Sequence, residues 1–98
     1  MKTKRTFTIS VFSENRIGLL NKLTALFARR RLNIESITIS ETERKGISRH
    51  TITLITEREV VENLVKQIRK IIEVHVVYGY ESEELAVSEI ALFKVSTQ

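Results

Sequence analysis

Apolar and polar positions alternate from Phe7 to Val11, with Thr8 and Ser10 opposite Phe7, Ile9 and Val11. That is the period of a strand with one buried face. Phe12 interrupts the polar side, so the second face is expected to be partly covered too. From Ile17 the period changes. Leu19, Leu20, Leu23, Leu26 and Phe27 recur at the spacing of one helix face. Lys22, Arg29 and Arg30 lie off that stripe, and the two arginines suit the negative C-terminal end of a helix. The helix is expected to stop near Arg31-Leu32-Asn33, with Asn33 as its left-handed residue.

Ile34 opens a second strand, in which Ile37 and Ile39 face one way and Ser36, Thr38 and Ser40 the other. Glu43-Arg-Lys-Gly46 is a polar turn with the glycine a hairpin needs. In the third strand Ile52 and Leu54 oppose Thr51 and Thr53. Thr56-Glu-Arg-Glu59 has capping-box spacing and precedes a second helical stripe of Val61, Leu64, Val65, Ile68, Ile71 and Ile72. Val74, Val76 and Tyr78 then alternate as a fourth strand. Beyond it, Ser82-Glu-Glu-Leu-Ala-Val87 reads as a helical turn and Ile90-Ala-Leu-Phe-Lys-Val95 as a short fifth strand. A terminal apolar strand needs an edge to pair with. This one can add to its own sheet, add to a second subunit, or open a further domain.

The order β-α-β-β-α-β, with right-handed crossovers, leaves in each β-α-β unit a gap that the other unit fills. The expected fold is α+β: a ferredoxin-like sandwich, a four-stranded antiparallel sheet with two helices on one face. Residues 5–80 form this domain and residues 81–98 a C-terminal extension. The open face is expected to carry threonine and serine together with Phe12, Ile34 and Ile47. That is apolar enough to favour self-association.

Composition narrows the classes of function. The 98 residues suffice for one small domain with a modest core. Without cysteine there is neither a disulfide framework nor a thiolate metal site. No apolar run has the length of a membrane span, and the basic start Met1 to Thr6 leads into a strand pattern instead of a signal-peptide core. A soluble, cytoplasmic protein is expected. The net charge of +4 gathers in Lys2, Lys4, Arg5 and Arg29-Arg30-Arg31, which suits solvated helix and terminus positions as well as an acidic partner.

Catalytic chemistry finds no footing. His50 and His75 fall on strands with no second ligand at metal spacing. The serines have no nucleophile-elbow context, and no carboxylate pair is set apart by apolar surroundings. Gly18, Gly46 and Gly79 are isolated, so there is no phosphate-binding glycine loop. RNA-recognition motifs share this topology and stack bases on aromatics of the central strands. Here the third strand, Lys45-Gly-Ile-Ser-Arg-His-Thr-Ile52, has the opening Lys-Gly of that signature and none of its aromatics. Neither an enzyme nor a nucleic-acid binder is expected.

One stretch remains, Ser13-Glu-Asn-Arg-Ile-Gly-Leu-Leu20, where strand turns directly into helix. Such a turn directs unpaired backbone N–H groups at one spot, and the helix dipole favours negative charge there. Gly18 lets a ligand or a neighbouring backbone approach. Asn15 is a candidate N-cap and can both donate and accept. Two readings fit: a seat for a small anion-bearing ligand, or an ordinary capped helix.

Glu14-Asn-Arg-Ile-Gly-Leu-Leu20, Leu26-Phe-Ala-Arg-Arg30, Asn33-Ile-Glu-Ser-Ile37 and Ser48-Arg-His-Thr-Ile52 together resemble the regulatory small subunits of acetolactate synthase (acetohydroxyacid synthase). Their N-terminal part is an ACT domain. Ile90-Ala-Leu-Phe-Lys-Val95 resembles the family's segment just after that domain, so the likeness covers about residues 6–95. The strand-turn-helix loop alone is generic for ACT domains, and Phe-x-Arg-Arg-x-x-Asn-Ile-Glu-Ser adds specificity.

The resemblance implies a non-catalytic regulatory subunit that homodimerises through its ACT domains. It implies a branched-chain amino-acid effector, valine foremost, and a partner catalytic large subunit carrying thiamine diphosphate, FAD and Mg, with no cofactor in this chain. The partner would be activated, and made open to feedback inhibition, within valine, leucine and isoleucine biosynthesis. By position, Asn15, Ile17, Gly18, Leu19 and Leu20 correspond to the loop side of the effector site, and Asn33 and Ile34 to the side given by the second subunit. Two departures stand out. Ile17 occupies a position usually held by proline, and Arg31 one where many members have glycine. The alternative is a stand-alone ACT module that senses an amino acid for another enzyme or regulator.

Overall fold

The computed structural model describes residues 3–15 and 17–82. Six elements follow in the expected order: β1 (Arg5–Glu14), α1 (Ile17–Arg29), β2 (Asn33–Glu41), β3 (Ile47–Thr56), α2 (Arg58–Arg69) and β4 (Val74–Glu81). They form one antiparallel sheet in the order β2-β3-β1-β4. The ferredoxin-like sandwich is therefore the fold. The expected 81–98 turn and strand lie outside the described residues, apart from the first two positions.

The core lies between the helices and one face of the sheet. Phe7, Ile9 and Val11 of β1 meet Leu54 and Ile52 of β3, Val77 of β4, Leu19, Leu23 and Phe27 of α1, and Val61, Leu64 and Ile68 of α2. Each is at most 5 % exposed, and full burial of such a side chain contributes about 1.5–3 kcal/mol. Glu81 closes one corner, accepting from Arg5 at 2.9 Å and Arg58 at 3.0 Å.

Four details differ from the sequence expectation, each for a local reason. Ile34 does not lie on the open face. The register of β2 slips between Ile34 and Ser36, so a bulge at Glu35 returns Ile34 to the helix side, opposite Leu54 and against the core. The left-handed residue after α1 is Arg31, at φ 55°, and not Asn33. Arg31 N–H donates to Ala28 O at 3.0 Å and Leu32 N–H to Phe27 O at 3.3 Å, which is the Schellman pattern.

The capping box is not formed either. Thr56 is the buried last residue of β3, and Glu57 takes the N-cap position without a side-chain bond. Finally, α2 stops at Arg69, and Ile72 sits beyond it at 89 % exposure.

The alternation in β4 faces outward. Val76, Tyr78 and Tyr80 line the open face, while Val77 and Gly79 pair with Val11 and Ile9 and point at the helices. Glycine suits that position because α2 crosses close. A Cβ on Gly79 would lie 2.8 Å from Val61 Cγ1 and 3.3 Å from Val65 Cγ2. The open face otherwise carries Thr6, Thr8, Ser10, Phe12, Arg49, Thr51 and Thr53.

Candidate functional site

The loop after β1 is held from two sides by backbone bonds. Asn15 N–H donates to Gly46 O in the β2–β3 hairpin at 2.8 Å, and Glu14 N–H to Glu73 O before β4 at 3.0 Å. Gly46 takes φ 85°, a conformation that favours glycine, so the hairpin glycine also shapes the platform under the loop. Lys22 of α1 reaches back to both carboxylate oxygens of Glu73 at 3.0 and 3.1 Å. Strand end, helix start, hairpin and the turn before β4 thus converge at one end of the sheet.

Helix α1 begins at Ile17, two residues after Asn15, so Asn15 stands outside the N-cap position. Asn15 is exposed. Gly18, in the first turn, is exposed too, and among the described residues no atom outside its chain neighbours and its own helix backbone lies within 4 Å of where its Cβ would be. Packing therefore does not require the glycine, and a ligand can approach the backbone there. The first turn has no acidic residue to compete for its N–H groups. Leu19 is fully buried in the core, so it can serve a site only through its backbone. Leu20 is half-buried.

Asn33 and Ile34 start β2, with Asn33 exposed and Ile34 half-buried. Asn33 is in register with Ile55 and so with Thr6, whereas the loop follows Glu14, which is in register with Ile47. Eight strand residues separate the two levels, roughly 27 Å at the usual rise. Within one chain the two groups of residues stand at opposite ends of the sheet.

Beneath the loop lies a polar cluster that sequence reasoning left unconnected. Ser13 pairs with Ser48, and Val11 with His50; Ser13, Ser48 and His50 are all buried. Burial pushes the His50 imidazole below its ordinary value of 6.5, and a backbone hydrogen bond with Val11 only partly opposes this. His50 is a neutral, structural histidine at neutral pH. On the open face, Phe12, Ile47, Arg49, His75 and Val76 line a concavity of about 690 Å³, with the Arg49 guanidinium 5.6 Å above the Phe12 ring. Phe12 on the polar side of its strand was the sequence signal for it. Among the described residues no cluster of three or more histidine, cysteine, aspartate or glutamate side chains is placed to hold a metal, and no helix is long and apolar enough to cross a membrane.

A β2-β3-β1-β4 sheet with both helices on one face, here with an exposed glycine in the first turn of α1, is the architecture of an ACT domain. Over residues 9–76 the chain matches the family described as the AHAS small subunit-like ACT domain, and it belongs to that family. It is 44 % identical over 93 residues to the acetolactate synthase small subunit of Bacillus subtilis (strain 168), covering 94 % of this chain and 53 % of the relative. With the small subunit of Mycobacterium avium the identity is 40 % over 91 residues, covering 93 % and 54 %. The chain thus spans about half the length of the curated relatives it matches.

Among solved structures, the small subunit from Thermotoga maritima superposes with a TM-score of 0.69 at 37 % identity, covering 76 % of this chain and 47 % of that one. The ACT domain of GTP pyrophosphokinase from Chlorobium tepidum gives 0.67 at 20 % identity, covering 80 % and 100 %. That second likeness is one of fold alone.

Proposed function

We propose that this chain is the effector-binding part of a regulatory small subunit of acetolactate synthase, and that it binds a branched-chain amino acid between two copies of its ACT domain. The geometry that carries the reading is the placement of β2. It is an edge strand and runs parallel to β1, since both are antiparallel to β3. Two copies joined antiparallel along β2 set the start of one β2 beside the end of the other. Asn33 and Ile34 of one copy then reach the sheet end where the other presents Asn15 to Leu20.

At that junction the backbone N–H groups of Ile17, Gly18 and Leu19 receive the α-carboxylate. The side-chain oxygens of Asn15 and Asn33 accept from the ammonium. Leu20 and Ile34 cover the branched side chain, which contributes about 1.5–3 kcal/mol. Selection among valine, leucine and isoleucine by such a wall is weak, on the order of tenfold per methylene, whereas the polar contacts reject molecules lacking the α-amino acid head. Valine, the smallest of the three, is our first choice.

The chain carries no catalytic group or cofactor in this reading. Thiamine diphosphate, FAD and Mg belong to the cytoplasmic catalytic large subunit that it activates and renders sensitive to the effector. Coupling between the two is reciprocal and typically worth about 1–3 kcal/mol, so the large subunit changes effector affinity by the factor the effector exerts in return. Calorimetry with valine, leucine and isoleucine, repeated on Asn15→Ala, tests the site. Equal binding by the variant rejects the placement. Co-purification with the large subunit, followed by an activity titration with each amino acid, tests the partner, and absence of association would leave a stand-alone sensing module.

A further inference from the structure

On the open face, Ser40, Arg49, Phe12 and Val76 follow one another in register across all four strands. Ile47 stands one step nearer the end of the sheet, opposite Glu14. Phe12, Ile47 and Val76 make an apolar floor for the concavity of about 690 Å³ there, a volume in the range of small-molecule sites. Its wall is the β2–β3 hairpin. The Thr42 hydroxyl donates to Ile47 O at 3.0 Å and accepts from Arg44 N–H at 3.2 Å, and Gly46 sets the turn at φ 85°. Floor and wall are held by the fold itself, which spares a ligand the cost of ordering them.

Charges of both signs ring that floor. Arg49 and Arg44 line it, and so do Glu41 and Glu43. None of the four makes an ion pair among the described residues. Arg49 sets the chemistry. It is half-buried, its guanidinium lies 5.6 Å over the Phe12 ring, and its Nε is enclosed without an acceptor. A cation that has given up hydration in this way is ordinarily matched by an anion. His75, also on the rim, is turned to Glu14, Nε2 to Oε2 at 3.8 Å.

A carboxylate alone would meet Glu41 and Glu43 as well as Arg49, and an ammonium alone would meet the two arginines. A zwitterion with an apolar body answers both signs and covers Phe12, Ile47 and Val76. We propose that this concavity is a second ligand site, separate from the β2 junction, and that it takes an amino acid with an apolar side chain. The planar fork of Arg49 receives the carboxylate. Glu41 or Glu43 accepts from the ammonium, and the side chain lies over Phe12 and Val76. One copy of the chain completes the site, so it stands or falls apart from the dimer reading.

Titration of the full chain with leucine, followed by amide NMR, tests the site. We expect saturable shifts at Phe12, Ile47, Arg49 and Val76, and their persistence in Asn15→Ala, which alters the junction and not the concavity. Isocaproate lacks the ammonium and isoamylamine the carboxylate. Each should bind the concavity at least about tenfold more weakly than leucine, for loss of a charge-assisted hydrogen bond. Arg49→Met keeps an apolar stem over Phe12 and should weaken leucine there by at least the same factor. Shifts confined to the loop before α1, and abolished in Asn15→Ala, would overturn the proposal while supporting the junction. Equal binding by either analogue on the wild-type chain, which needs no variant to fold, would overturn it too, as would wild-type affinity for leucine in Arg49→Met. Open-face shifts with none at the loop would uphold this site and reject the junction.

Discussion

The backbone N–H of Asn15 donates to the carbonyl of Gly46 at 2.8 Å, tying the loop before α1 to a hairpin thirty-one positions away. Gly46 holds φ 85°, and a side chain there is strained by about 1–2 kcal/mol. Gly46→Ala should therefore lower stability by about that amount and shift the carbonyl that positions Asn15. Effector affinity, measured by calorimetry well below the melting temperature, should fall as well. Wild-type affinity in the folded variant would show that the tie plays no part in binding.

Arg31 occupies the left-handed position of the Schellman turn after α1, where an L side chain costs about 1–2 kcal/mol. Glycine removes that strain but adds unfolded-state entropy of about 0.5–1 kcal/mol. Arg31→Gly should thus stabilise by about 0.5–1 kcal/mol, raising the melting temperature by roughly 2–8 °C. Arg31→Ala keeps the strain and should show no such gain. Calorimetric melting of the two variants separates them.

The differing outcomes at Arg31 and Ile34 mark what was legible in the chain. Element order and the core stripes of β1, β3 and α2 followed from periodicity, because a side chain facing the helices must be apolar wherever the sheet is covered. The bulge at Glu35 inverts facing by one residue without altering composition, so Ile34 read as open-face. Arg31 gave no glycine to mark the end of α1. In the proposed site, Asn15 and Gly18 stood out by type, Asn33 entered only through the family resemblance, and Leu19 turned out to belong to the core by its side chain. The ties to Gly46 and Glu73 join residues far apart in sequence, and no local pattern announces them.

His50 is buried, and its imidazole titrates below 6.5 because burial disfavours the charged ring. The unfolded chain therefore binds a proton that the native one refuses between the native value and 6.5. Stability from this group is complete above 6.5 and declines as pH falls through that window. Denaturant unfolding at pH 7.5 and at successively lower pH should show the decline, and His50→Leu should flatten it. An NMR titration of His50 at or above 6.5 would contradict the assignment.

Helix α2 crosses close to the sheet at Gly79, where an added Cβ would sit 2.8 Å from Val61 Cγ1. Val61 is itself 4 % exposed, so its methyl has little room to yield. Gly79→Ala should cost about 1–3 kcal/mol by overpacking. Val61→Ala should also destabilise, by loss of buried methyls and the cavity left behind. The two effects are not independent, because the shortened residue 61 vacates the space that the new methyl enters. In a double-mutant cycle the combined loss should fall short of the sum by at least about 0.5 kcal/mol. Strict additivity would mean that α2 moves as a unit and that the glycine is not set by the Val61 contact.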